Sequence, residues 1–306
     1  MQTADPGAPT YLSAGLAART TAGVVQLAGA PVAYWTYEPQ HAAPETRTML
    51  VIHGFRGDHH GLLRVADLLP DMRIIMPDLP GFGSSAAFAD GNHSVAHYGR
   101  FITGFMAELG LGPETVLLGH SFGSIIAAHF VAANPGTVTP LILVNPIAAP
   151  ALEGPKGVMT RLAVLYYRLA ARLPRRAGLA LLRSPLIVRI MSEAMAKTRD
   201  PGLRGFIHGQ HHAYFSAFAD RDSLLESFTA SVSGNVTEVA ARLTLPVLLI
   251  AGEKDEIAAL PDQHTLLAQL PDGELKVIPG VGHLIHYETP EPAAHHIRSF
   301  LKDHPA

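Results

Sequence analysis

Residues 117–124 read Leu-Leu-Gly-His-Ser-Phe-Gly-Ser, an apolar run broken by a serine between two glycines. The helical text SIIAAHFVAANP resumes at once from Ser124. A Gly-x-Ser-x-Gly stretch that closes a buried strand and opens a helix is a strained strand–turn–helix. Side chains on the neighbours of the serine would collide there, which suits Gly119 and Gly123. The turn holds the Ser121 hydroxyl proud of the sheet edge. Behind it, the free N–H groups and positive dipole end of the helix face any anion that develops. Five residues alone could equally be a glycine-flanked turn around a solvated serine, so the rest of the chain has to decide.

Outward from this turn, short β-rich runs recur: GVVQLAG, VAYWTYE, TMLVIHG, RIIMPD, TVLLGH, PLILVNP, PVLLIAG and LKVIPG. From the third onward they are mostly apolar throughout, as in strands covered on both faces. Helical segments lie between them, among them HHGLLRVADLLP, VAHYGRFITGFMAELG and DQHTLLAQLP. This alternation predicts an α/β fold, a mostly parallel doubly wound sheet with helices on both faces. The first two runs leave no room for a helix and read as an antiparallel start. After Pro146 the alternation stops, and VMTRLAVLYYRLAARLP, LIVRIMSEAMAK and DSLLESFTASV are helical and strand-poor. The expected organisation is a core over 1–147 and 237–306, with a helical cap over 148–236 inserted after the sixth strand.

Composition agrees with a globular chain. Its 306 residues are 48% hydrophobic and 16% charged, enough for a sizeable core without disulfides or structural metal. A net charge of −3 gives no reason to expect nucleic acid as partner. With no cysteine, a disulfide scaffold, a thiol nucleophile and thiolate metal sites are excluded. The N-terminal MQTADPGAPTYLSAGLAART lacks a basic region and a continuous apolar core, so it does not read as a secretory signal. No run approaches 18 uninterrupted apolar residues, and the expectation is a soluble, cytoplasmic protein.

An unactivated serine is a weak nucleophile and needs a base, with a further group to orient that base. After the seventh strand, AGEKDEI offers Asp255; after the eighth, PGVGHLIHYETP offers His283 behind two glycines. Serine, acid, then histidine is the chain order expected with an elbow of this kind. Following the third strand, VIHGFRGD lies where a second oxyanion-hole N–H should arise: His53 and Gly54 would shape the turn and Phe55 would supply the N–H.

With these stretches together, the sequence resembles the α/β-hydrolase family, in the branch with a serine nucleophile, a His-Gly oxyanion loop and a helical cap. The resemblance runs from about Val24 and rests on HGF at 53–55, DLPGFGSS at 78–85, GHSFG at 119–123, the aspartate of GEKD and the histidine of GVGH. It implies Ser121 as nucleophile, His283 as base and then acid, and Asp255 as the group orienting His283. The N–H groups of Phe55 and Phe122 would form the oxyanion hole, and both residues would also border the substrate. The resemblance implies no cofactor.

Nearby residues compete for these roles. Glu253 and Glu256 flank Asp255, but only Asp255 fits the Gly-x-x-Asp spacing of the resemblance. Some relatives take the acid from the sixth strand, where this chain has Asn145, which cannot carry the charge. His286 reads as a support residue and His120 as a structural one lodged between strand and helix. Among 17 histidines, His208, His211 and His212, the pair His59 and His60, and the pair His295 and His296 are candidate metal ligands. No carboxylate stands at matched spacing, so polar helix surface is the expected reading and no metal is assigned.

Charge is unevenly placed. Residues 151–210 hold eleven Lys/Arg against three Asp/Glu. Arg161, Arg168, Arg172 and Arg175 recur near helical period, read as opposite Leu162, Leu165, Leu169 and Leu173. Such a helix can meet an anionic membrane peripherally or attract an anionic substrate. The commoner arrangement is a solvated basic face whose apolar side covers the active site, and that is the expectation here.

Acyl transfer to water is the reaction these residues imply, with a small to medium apolar carboxylic ester as substrate. Serine argues against the epoxide hydrolases and haloalkane dehalogenases of the family, which use aspartate. Alternatives are an acyl thioesterase, with the cap arginines on the phosphates of a CoA-like carrier, a carbon–carbon or lactone hydrolase, and a haloperoxidase-like perhydrolase. A non-catalytic ligand receptor on the same fold would be expected to show a broken triad.

Overall fold

A computed structural model describes residues 11–27, 29–43, 45–150 and 157–305, with backbone alone over 157–160. The first ten residues of the N-terminal stretch read above as lacking a secretory pattern, and residues 151–156 of the charge tally of 151–210, lie outside these residues.

Strands β1 (Thr20–Leu27), β2 (Ala30–Tyr37), β3 (Thr48–Ile52), β4 (Arg73–Pro77), β5 (Val116–His120), β6 (Leu141–Val144), β7 (Val247–Gly252) and β8 (Gly273–Ile278) form one sheet. Its order is β1-β2-β4-β3-β5-β6-β7-β8. β2 pairs antiparallel with both β1 and β4, and every later pairing is parallel. The antiparallel start and the parallel remainder thus match the sequence reading.

Apolar-throughout strands are needed because both faces are covered. In β5, Val116 and Leu118 enter one core cluster while Leu117 enters the other. In β7, Val247 and Leu249 face one way, and Leu248 and Ile250 the other. This is the period-2 alternation of a strand, with both halves buried. The helices that cover the sheet are α1 (Ala14–Ala18), α2 (Leu63–Asp67), α3 (Val95–Glu108) and α4 (Phe122–Ala133), and, beyond β7, α10 (Leu260–Leu267), α11 (Ile285–Glu288) and α12 (Pro290–Asp303). Local chemistry starts them: Ser94 caps α3 by accepting from the His97 N–H, and Pro290 opens α12, where a missing N–H is harmless.

Between β6 and β7, the described residues form α5 (Gly157–Arg172), α6 (Arg175–Leu182), α7 (Pro185–Met195), α8 (Pro201–Tyr214) and α9 (Arg221–Ser233). Asp200 caps α8 and Asp220 caps α9 through backbone N–H groups. Pro174 stands between α5 and α6, and α6 is only 8 residues long, too short to show a period in the sequence.

Several bonds tie this helical insert to the core, among them the backbone pairing of Phe82 with Phe218, and one side chain reaches three parts of it. Arg56, in the loop after β3, is buried and has φ +60°. Its guanidinium donates to the Phe215 carbonyl (2.9 Å), the Leu182 carbonyl (2.7 Å) and the Tyr167 hydroxyl (3.3 Å), and it lies over the Phe218 ring. Three separate parts of the insert are therefore fastened to one loop of the sheet.

The basic helix departs from expectation. Tyr167 and Ala170 form the buried side of α5, while Leu162, Leu165 and Leu169 face solvent at 54%, 60% and 50% exposure. Helical spacing explains it: these leucines lie beside Arg161, Arg168 and Arg172 on one arc, not opposite them, because 100° per residue separates the two stripes by less than a right angle. Among the described residues, no helix is long and apolar enough to cross a membrane.

Candidate active site

Ser121 sits between β5 and α4 with φ +53° and ψ −118°, outside the basins that side chains favour. A residue held there costs of order 1–3 kcal/mol, and its surroundings must over-determine it. The Ser121 N–H donates to Val144 of β6 at 3.0 Å, and its carbonyl accepts from the Ser124 N–H (2.8 Å) and hydroxyl (2.5 Å). Helix α4 can start this close to β3 only because residue 123 is glycine: a Cβ there would stand 2.2 Å from the Ile52 carbonyl oxygen. The elbow is a product of packing as well as of local sequence.

From this turn a continuous chain of hydrogen bonds runs inward. The Ser121 hydroxyl lies 2.8 Å from His283 Nε2, and His283 Nδ1 lies 2.8 Å from Asp255 Oδ2. An ionised carboxylate only accepts, so Nδ1 carries the proton and Nε2 is left to accept from the hydroxyl. Asp255 is buried, and burial alone would raise its pKa. The His283 ring and its hydrogen bond, with the Ala258 and Ile257 N–H groups, outweigh that and hold the carboxyl below its ordinary value. Oδ1 accepts from Ile257 (2.8 Å) and Ala258 (2.9 Å), and Oδ2 from Asn145 Nδ2 (2.8 Å) as well as from His283. Such a chain can draw the proton from a serine hydroxyl and return it to a leaving group.

The loop after β3 lies directly against the serine. A Cβ on Gly54 would stand 3.1 Å from the Ser121 Cβ, so a glycine is what permits the approach. His53 pins this loop: its Nε2 accepts from the Leu79 N–H at 2.8 Å, and Nδ1 therefore donates to the Gly54 carbonyl at 2.8 Å. Burial keeps its pKa below the ordinary value, in keeping with a neutral ring. The Phe55 ring packs edge-on to Phe82 and Tyr167. Phe122, the first residue of α4, is buried against Tyr98. Neither backbone N–H, of Phe55 or of Phe122, donates to another of the described residues. Phe122 is next to Ser121 in chain, and Phe55 follows Gly54, which lies against the serine.

The competing residues fall elsewhere. Glu253 accepts from the Gly280 N–H, and Glu256 pairs with Lys197. Asn145, set aside above for lack of charge, instead holds the carboxylate of Asp255. Its φ of +47° turns the amide inward at the end of β6, and 110 residues separate it from its partner. The sequence signal for it was only its place at a strand's C-terminal end.

Behind His283 the buried rings continue. His120 lies 5.6 Å from His283 and 4.3 Å from His286, centroid to centroid. His208 and His211 are buried, contrary to the expected polar helix surface, and share the Ser192 hydroxyl at 2.6 and 2.7 Å. They face inward because α8 packs on α7 through this side. His212 is exposed, and the pair His295 and His296 lies exposed and half-buried on α12. Asp58, His59 and His60 bring ligand-type atoms within 4.8 Å of one another, but hydrogen bonds and stacking account for them. His59 bonds Asp78 and stacks on Trp35, while His60 bonds Asp58 and stacks on Tyr214.

This inner cluster sets an acid limit on stability. Burial pushes the pKa of His120 and of His211 down to about 3, and that of His286 well below its ordinary value. Unfolded, each ring takes up a proton near pH 6.5. From there down to about 3 the unfolded chain binds more protons, so stability falls as pH falls, by up to about 1.4 kcal/mol per pH unit for each ring. Urea midpoints should therefore drop between about pH 7 and pH 5, and His211→Gln should flatten the slope by about one ring's share. An unchanged slope in that variant would mean that His211 is already protonated in the folded state.

A family profile described as the alpha/beta hydrolase family matches residues 49–295. Lipase 3 of Moraxella sp. (strain TA144) is 24% identical over 259 residues, covering 82% of this chain and 76% of the lipase. Among solved structures, a thermophilic esterase from Thermogutta terrifontis superposes with a TM-score of 0.72 at 23% identity, covering 94% of this chain and all (100%) of the esterase. A bromoperoxidase from Bacillus anthracis gives 0.75 at 14% identity, covering 92% and 100%. At such identities the structural likeness carries the fold alone, and it spans proteins of different activity.

Proposed function

Because the chain belongs to the alpha/beta hydrolase family, we propose that it is a serine hydrolase that cleaves a carboxylic ester of a small to medium apolar substrate through an acyl-enzyme. The observation that carries this reading is the unbroken chain Ser121–His283–Asp255, with both hydrogen bonds at 2.8 Å, at a strained elbow. His283 takes the Ser121 proton as the hydroxyl oxygen attacks the ester carbonyl carbon. The N–H groups of Phe55 and Phe122 receive the oxyanion, and Asp255 stabilises the imidazolium. His283 then gives its proton to the leaving alcohol. Water, deprotonated by the same ring, attacks the acyl carbon, and the acid departs with Ser121 restored. No cofactor enters these steps.

The insert between β6 and β7 is, in this reading, a cap. Its apolar inner side supports an apolar acyl group: Tyr167 of α5 stacks on Phe228 of α9 at 3.9 Å, and both rings meet Phe55. Initial rates on aryl esters and acyl thioesters of graded chain length test the substrate class, and esters are expected to be the faster. A fluorophosphonate probe is expected to label Ser121 and to spare Ser84, Ser85 and Ser124. Faster thioester cleavage would replace the ester reading. Activity lost with a label on another serine would overturn the site itself.

A further inference from the structure

The leucines of α5 face solvent, and they do so among arginines. Leu162, Leu165 and Leu169 rise at one-turn spacing on the exposed arc, and Arg161, Arg168 and Arg172 form the adjoining stripe. Among the described residues, no carboxylate pairs with these three arginines. On α7, Leu186 and Ile190 are also exposed, at 68% and 58%, beside Arg189, although there the arginine pairs with Glu193 of the same helix. Single exposed leucines are ordinary, whereas a row of them bordered by one sign of charge is not.

We infer that the outer face of α5 docks on an anionic phospholipid surface. The stripe of arginines, without a carboxylate partner among the described residues, calls for a negative partner, and the leucines call for an apolar layer beneath that charge. A lipid interface offers both in that order, headgroup phosphates above and acyl chains below. A second copy of this chain fits less well. A two-fold contact would set the arginine stripe against its own copy, like charge on like. Location also favours lipid: the buried side of the same helix carries Tyr167, which touches Phe55 beside Ser121. Docking would bring the face that holds acyl chains within one helix diameter of the site.

The surface rests on no step of the proposed ester chemistry, so it is tested on Ser121→Ala protein, which leaves the vesicles intact. Co-sedimentation is measured with phosphatidylcholine vesicles, with and without phosphatidylglycerol. Binding is expected only to the anionic vesicles and is expected to weaken with salt. Replacing Arg161, Arg168 and Arg172 together with glutamine should lower vesicle affinity about a hundredfold, at about fivefold for each arginine near an anionic surface. Replacing Leu162, Leu165 and Leu169 with serine should also lower it, with retained cleavage of a soluble ester, measured in the wild-type Ser121 background, as the check on folding. Equal binding to neutral and anionic vesicles overturns the inference, and so does binding to neither. Self-association abolished by the leucine variant, without vesicle binding, would make a second copy the occupant. Vesicle binding with no activity on any ester would leave the docking surface standing and remove the function proposed for Ser121.

Discussion

Replacing Ser121 with alanine is expected to lower kcat by about a million-fold, which is about 8 kcal/mol of transition-state stabilisation. The magnitude follows from residues acting as one unit. His283 Nε2 is 2.8 Å from the hydroxyl it deprotonates, and neither group does its work without the other. His283→Ala should therefore lose a similar amount, and the double variant little more. Single-turnover and steady-state rates on one aryl ester across the three variants provide the check. Losses that add in full would mean that the two residues serve separate steps, and the mechanism would have to be rewritten.

A second large effect, about ten-thousand-fold in kcat, is expected for Asp255→Asn. The reason lies in the donors around the carboxylate. Oδ1 faces the N–H groups of Ile257 and Ala258, and Oδ2 faces Asn145 Nδ2 and His283 Nδ1. An asparagine amide must turn its NH2 toward one of these pairs, donor against donor. Turned toward His283, it forces the proton onto Nε2, where the ring can no longer accept from Ser121. Turned toward the backbone, it loses both loop hydrogen bonds, and the 255–258 turn loosens. Either way kcat falls with KM little changed, and the urea midpoint falls too. A variant that keeps wild-type kcat would show that another acid orients His283.

Much of this was readable in the sequence, for a physical reason in each case. The elbow was legible because its pattern is compact: Gly119 is dictated by Gly123 and Ser124 within the turn itself, while Gly123 is dictated by β3, distant in chain, yet falls in the same five residues. Strand alternation was legible because the inner strands β5, β6 and β7 are buried along their whole length and need apolar residues on both faces, a demand visible in a five-residue window. Asp255 and His283 were legible by order, each just past the C-terminal end of a strand. What escaped notice depends on the far partner. Asn145 acquires its part only through a left-handed backbone and a carboxylate distant in chain. His208 and His211 look like helix surface until α7 supplies the Ser192 hydroxyl that buries them. For α5 both stripes were visible, but periodicity gives only angles between residues, not which side the rest of the protein covers. Tyr166, Tyr167 and Ala170 compete with the leucines for the inside, and packing on α6 and α9 decides in favour of the aromatics.

Arg56 has an implication for how such a protein can change over generations. Two of its three acceptors in the insert, at Leu182 and Phe215, are main-chain carbonyls, and these exist whatever side chain the residue carries. The attachment thus reads the path of the chain and is blind to its lettering. Point substitutions across the helical insert can reshape the wall around the acyl group while the fastening survives, so specificity can drift cheaply. Insertions and deletions between residues 182 and 215 have no such freedom, because a shift of one residue there moves a carbonyl out of reach. Diversity in this half of the molecule should accumulate by replacement and hardly at all by change of length.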